Sequence, residues 1–159
     1  MSRAERIAML HSLPAQLREK IAGLTPEQLT TAYNAPEWTV AQNIHHLADT
    51  HWNAFMRCKL ILTEEYPAVR PYNINALAEL PDASDANVED SLKIIEGVHA
   101  RWARLLEQIT DSDMEKKGYH PETKREMTPA TLLELYTNHG QAHLKQIQEV
   151  LDKMPAQGA

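Results

Sequence analysis

The residues from Thr128 to Leu151, TPATLLELYTNHGQAHLKQIQEVL, constrain this chain more than any other stretch. Thr128 supplies an N-cap hydroxyl, and Pro129 takes the first helical position, where a missing N–H costs nothing. Leu132, Tyr136, Ile147 and Val150 then recur at helical spacing and give the helix one buried face. His139 and His143 fall on that same stripe, four residues apart, so they project side by side about one turn apart. A single histidine on an apolar face is more often a hydrogen-bonded core residue than a ligand. Two at this spacing have the geometry to hold one metal ion, whereas a helix serving only the core would carry leucine there. Gly140, between them, costs a helix roughly 1 kcal/mol relative to alanine. A close approach to the backbone explains it, and a helix-packing contact explains it equally well. No Glu follows His139 directly, so the H-E-x-x-H arrangement of zinc proteases, with its built-in general base, is absent.

A chain of 159 residues is expected to form one domain, 1–159, and can bury a core without staples. Lys and Arg number 16 against 22 Asp and Glu, a formal net charge of −6. With no basic run, nucleic acid and anionic membranes are excluded as expected partners. The one cysteine, Cys58, rules out an internal disulfide, fits a reducing compartment and packs as a small hydrophobe. No apolar run approaches the roughly 18 residues that span a bilayer, and no signal peptide opens the chain. The expectation is a cytoplasmic protein.

Residues 3–22 read as a first helix with the stripe Ile7, Leu10, Leu17 and Ile21, kinked at Pro14. Thr25 to Gln28 forms a capping box for a short helix. A second long helix runs from Thr39 to about Leu62, with Thr39 and Gln42 as its box. Residues 63–88 contain Pro67, Pro71 and Pro81 and no sustained period, a loop longer than a bundle needs. Arg70 and Tyr72 in it are candidates to line a pocket mouth. Glu89 to Ile109 is a third long helix, with Leu92, Ile95, Val98, Trp102 and Leu105 on its core face. Asp111-Ser112-Asp113 caps a short turn, and Gly118 to Pro121 connects to the fourth helix without a strand. Four long helices and one long crossover indicate an all-α four-helix bundle.

Helix two carries His45, His46 and His51. Periodicity prefers His45 or His51 as its inward histidine, with His46 on the other side of Leu47. A third imidazole from this helix would complete a three-histidine metal site in the bundle interior. An all-nitrogen set suits Zn, Ni, Cu or Fe(II), and such an ion lowers the pKa of a water or thiol toward neutrality. A carboxylate or carbonyl is expected on each outer ring nitrogen, with Asp49 a candidate.

Four segments in order carry a resemblance: WTVAQNIHHLADTHWNAFMRCKLILTE, YPAVRPYN, GYHPETK and LYTNHGQAHLKQI. They resemble the DinB/YfiT-like superfamily, and its YfiT group of metal-dependent hydrolases, which includes the bacillithiol S-transferases. The likeness runs from about Arg3 to Met154. It implies an up-down-down-up bundle and one divalent transition metal per chain, Zn or Ni, on three histidines. The first ligand of the family lies eight residues after the Trp, directly before Leu-Ala-Asp, which is His46 here. The others match His139 and His143. His51 and His120 sit in matching motifs and are expected near the pocket. The resemblance also implies a small-molecule substrate, hydrolysis or transfer to a low-molecular-weight thiol, and a homodimer. A metal-binding bundle without catalysis is the remaining class.

Overall fold

Hydroxyl side chains start most of the helices. Ser2, Thr25, Thr39, Thr110 and Thr128 each accept from the N–H three residues on, and the residue there reaches back to the cap. The computed structural model describes residues 1–156; the last three of the expected 1–159 lie outside it. The elements are α1 (Arg3–Ile21), α2 (Pro26–Thr30), α3 (Val40–Thr63), α4 (Ile74–Ala78), α5 (Glu89–Gln108), α6 (Asp111–Met114), β1 (Gly118–Tyr119), β2 (Glu126–Met127) and α7 (Pro129–Asp152).

Cross-links between the long helices fix their directions. Arg18 near the end of α1 pairs with Glu89 at the start of α5 at 2.8 Å, and Arg3 donates to the Ile109 carbonyl at 2.8 Å, so these helices are antiparallel. Arg6 to Glu134 and Lys20 to Gln148 make α1 and α7 parallel. His45 to Ser91 and His51 to His99 make α3 and α5 parallel, while Asn43 to His143 and His51 to His139 make α3 and α7 antiparallel. The result is the up-down-down-up four-helix bundle. A parallel α3–α5 pair needs a crossover, and residues 64–88 supply it.

The structure corrects the local reading in three places, in the crossover, at the cap of α6 and in the link into α7. The crossover is not a plain loop, because it holds α4, capped by Asn73, and a 3-10 turn at Pro81–Ser84. Thr110, not Asp111, caps α6. The link into α7 is a small antiparallel hairpin, β1 with β2, whose Tyr119 also pairs with the crossover at Pro67 and Val69. Two-residue strands are too short to leave an alternating pattern. α1 continues as helix through Pro14, and the Leu10 carbonyl that Pro14 leaves without a helical donor finds another one.

The core has two apolar clusters. One surrounds Trp102, Leu106, Ile61 and Leu132; the other surrounds Leu17, Ile44, Ile95 and Ile147. Cys58 lies in the first, fully buried. Gly140 is a helix contact: a Cβ there would stand 2.7 Å from Leu13 Cδ2 on α1. No described helix is long and apolar enough to cross a membrane.

Gly118 seats the hairpin on α3, since a Cβ there would lie 2.9 Å from both Ile61 Cγ1 and the Pro67 carbonyl. Gly118→Ala is expected to destabilise by about 1–3 kcal/mol. It should read as a lower urea midpoint at unchanged slope. A wild-type midpoint would show that the hairpin yields freely.

Candidate metal centre

The two clusters are separated by a layer of imidazoles. His139 Nε2 on α7 lies 3.1 Å from His46 Nε2 on α3 and 3.1 Å from His143 Nε2 one turn along its own helix. One ligand-capable nitrogen from each of the three lies within 4.8 Å of the others. Two imidazole nitrogens bound to one ion at about 2.05 Å, with about 100° between the bonds, stand about 3.1 Å apart. The donor set therefore fits one divalent ion, and its all-nitrogen character suits Zn, Ni, Cu or Fe(II). His46 and His143 are buried, and His139 is half-buried.

The outer nitrogens of His143 and His139 are occupied. His143 Nδ1 is 2.7 Å from Asn43 Oδ1, and the Asn43 amide donates to the Thr39 carbonyl at 2.9 Å. The amide donation turns the Asn43 oxygen toward His143, so His143 Nδ1 carries the proton and Nε2 keeps a lone pair. His139 Nδ1 meets His51 Nε2 at 3.0 Å. The expected carbonyl is thus present on His143, but His139 has an imidazole partner and Asp49 serves neither ring. Asp49 lies exposed on the outer side of α3, with its pKa raised by partial burial and by Asp82.

Burial holds these rings neutral. It lowers His46 from the ordinary 6.5 to about 4, with His139 adding to the effect, and His139 itself to about 4. Burial, then His139 and His46, take His143 to about 3. His51 lies well below its ordinary value for the same first reason, and His99 falls to about 4. Neutral rings are the form that binds metals. Cys58 is pushed up to about 11 by burial, which leaves it an inert thiol.

His45, favoured by periodicity, points elsewhere. Its Nδ1 is 2.7 Å from Ser91 Oγ and its Nε2 2.8 Å from the Asp85 carbonyl, so its nitrogens tie α3 to the first turn of α5 and to the end of the crossover. Helix α3 is enclosed by α5, α7 and the crossover, and buries His45, His46 and His51 together. A helix buried on several sides has no single apolar face, so its periodicity does not select among them. His120 lies in the hairpin turn, where its Nδ1 accepts from the Thr123 N–H at 3.2 Å; among described residues it makes no ring contact with the three histidines. The Arg70 carbonyl accepts from buried Arg57 at 2.7 Å, while its side chain is exposed. Tyr72 lies under the Arg57 guanidinium, and burial raises its phenol pKa.

Two neighbours were missed by sequence reasoning. Trp38 packs its ring 4.7 Å from His46 and 6.1 Å from His143. Its place directly before the Thr39 cap was the available signal. His99 meets His51 at 2.7 Å, but on α5 it reads as one more residue beside a core stripe. A cavity of about 350 Å³ opens against the three nitrogens, bounded by Pro36, Glu37, Trp38, Ile74 and Gln146.

Fold and site together define a helical bundle with an internal three-histidine cluster beside a cavity, and the chain belongs to the DinB superfamily, whose pattern matches residues 9–147. Among named relatives, it is 41% identical over 148 residues to "Putative metal-dependent hydrolase YfiT" of Bacillus subtilis, covering 93% of this chain and 83% of that one. It is 44% identical over 146 residues to a "Putative metal-dependent hydrolase" of Geobacillus thermodenitrificans, covering 92% and 82%. The solved structure of the Bacillus subtilis YfiT, described as "a probable metal-dependent hydrolase with an unusual four-helix bundle topology", superposes with a TM-score of 0.92 at 39% identity. That match covers 97% of this chain and 90% of the other.

The lowered values set a pH dependence. The unfolded chain takes up protons on these histidines below about 6.5, and the folded chain resists until about 4. Their stabilising contribution is complete above pH 6.5 and is lost as pH falls toward 4. The urea midpoint of metal-free protein should therefore be flat from pH 8 to 7 and fall steadily from pH 6.5 to 5, before most carboxylates protonate. A midpoint constant down to pH 5 would contradict neutral burial.

Proposed function

We propose that His46, His139 and His143 hold one divalent transition metal, zinc or nickel, and that the chain is a metal-dependent hydrolase of small molecules. The convergence of three neutral imidazole nitrogens at the wall of a cavity carries this reading. The names of the relatives support the reaction class. An ion held there supplies a Lewis acid that brings a water or a thiol to ionise near neutral pH. Asn43 and His51 hold the rings of His143 and His139 in orientation. The Trp38 ring walls one side of the cavity, and Glu37 and Gln146 offer polar groups at its rim. Access through the cavity favours a catalytic centre over a closed structural one.

Transfer to a low-molecular-weight thiol uses the same activation, so the test has two arms. Metal-loaded protein is assayed against activated esters and amides in water, and against electrophiles with a low-molecular-weight thiol added. Turnover in water alone supports the hydrolase. Turnover only with the thiol, consuming thiol and electrophile equally, replaces it with the S-transferase. His46→Ala, His139→Ala and His143→Ala should each lose stoichiometric metal, measured by elemental analysis of the folded variant. Full occupancy in any one removes that residue from the ligand set.

Self-association into a homodimer is part of the same reading. Trp52, Met56 and Leu60 recur every fourth residue on the outside of α3 and are 54%, 37% and 37% exposed. An apolar stripe of this kind suits a second copy. Sedimentation equilibrium should give twice the chain mass, and a monomer at micromolar concentration would end this part of the proposal.

A further inference from the structure

A continuous row of hydrogen bonds crosses the bundle from α1 to the three converging nitrogens. It begins at Pro14. A proline has no N–H, so the Leu10 carbonyl, four residues back, lacks its helical donor. His99 Nδ1 on α5 lies 2.5 Å from that oxygen. His99 Nε2 is 2.7 Å from His51 Nδ1 on α3, and His51 Nε2 is 3.0 Å from His139 Nδ1 on α7. Each of the four long helices contributes one member.

The direction of the row follows from one end. A carbonyl only accepts, so His99 Nδ1 must carry its proton. His99 and His51 are fully buried among apolar side chains and other imidazoles, where the neutral ring is the favoured form and holds one proton. His99 Nε2 is then an acceptor, and His51 Nδ1 must donate to it. His51 Nε2 is an acceptor in turn, and His139 Nδ1 must donate to that. The lone pair left over emerges at His139 Nε2, the atom 3.1 Å from both His46 and His143.

We propose that His99 and His51 are positioning residues that transmit the acceptor character of the Leu10 carbonyl across the bundle and fix His139 as the tautomer with Nε2 free for metal. The idea rests on the reading of His46, His139 and His143 as ligands. It explains why a proline stands inside α1 and why two imidazoles without access to the cavity occupy the core. A neutral imidazole has one donor and one acceptor on opposite sides of a rigid ring. It can therefore pass a preference along a row, which an ionised carboxylate, with acceptors only, would end.

The test uses full-length protein and Zn²⁺ alone. Long-range ¹⁵N–¹H correlation spectra of wild type, metal-free and zinc-loaded, report which ring nitrogen holds each proton. His99 and His51 are expected as Nδ1–H tautomers in both states, and His139 as Nδ1–H with zinc on Nε2. An Nε2–H tautomer at His99 or His51 would overturn the proposal. Because the metal-free spectrum decides this alone, failure of the row is distinguishable from failure of zinc binding itself. His99→Phe keeps the ring volume and cuts the row; zinc affinity by chelator competition should drop about 10- to 100-fold. His45→Gln serves as control, since it disturbs a buried histidine outside the row and should leave zinc affinity unchanged. Equal losses in both variants would reduce the effect to general loosening of α3 and α5 and sink the proposal. If His99→Phe fails to fold, the wild-type spectra still decide between the two tautomers.

Discussion

The structure depends on burying imidazoles across the middle of an apolar bundle. A polar group taken out of water costs several kcal/mol unless it is hydrogen-bonded. Five histidines share this layer, and four of them have a partner away from the point where the rings converge: Asn43 for His143, His51 for His139, His99 for His51 and the Leu10 carbonyl for His99. With Trp102 and its neighbours packed on one side and Ile44, Ile95 and Ile147 on the other, the layer has little freedom to reorient. Rigidity of this kind holds the ring nitrogens in register.

The unusual helix order serves the same end. Parallel α3 and α5 cannot be joined by a tight turn, so the chain spends residues 64–88 on a crossover that also covers one side of α3. His45 anchors that crossover through the Asp85 carbonyl and α5 through Ser91. Closing α3 on that side leaves His46 to face α7. The antiparallel α3–α7 pair then sets His46 opposite the His139 and His143 turn. Helix order, crossover and site are thus one arrangement.

Much of the frame was legible in the sequence. Capping boxes at Thr25 and Thr39 and the N-cap at Thr128 announced their helices, because a hydroxyl that accepts from the N–H three residues on forms a local structure that needs no tertiary partner. The pairing of His139 with His143 was legible for the same local reason, since four residues of helix place them together. His46 was not legible from periodicity, which favoured its neighbours; only the likeness of the surrounding segment pointed to it. Asp49 was misassigned because acidic character suggested a partner for a ligand ring, while its rotation on α3 sends it outward. His99, Trp38 and the role of Pro14 depend on chain segments far apart in sequence, so no local pattern carried them.

By itself, then, the sequence determined the helices, their caps, the four-helix class and the two imidazoles of α7, all of which follow from interactions spanning a few residues. Which face of α3 looks inward was a matter for the tertiary structure alone. The same holds for the ring that supports His139 and for Gly140, whose bare Cα admits Leu13 of α1 rather than a ligand. The physical reason is that a helix enclosed on three sides has several buried faces, and only the positions of its neighbours give each face a different task.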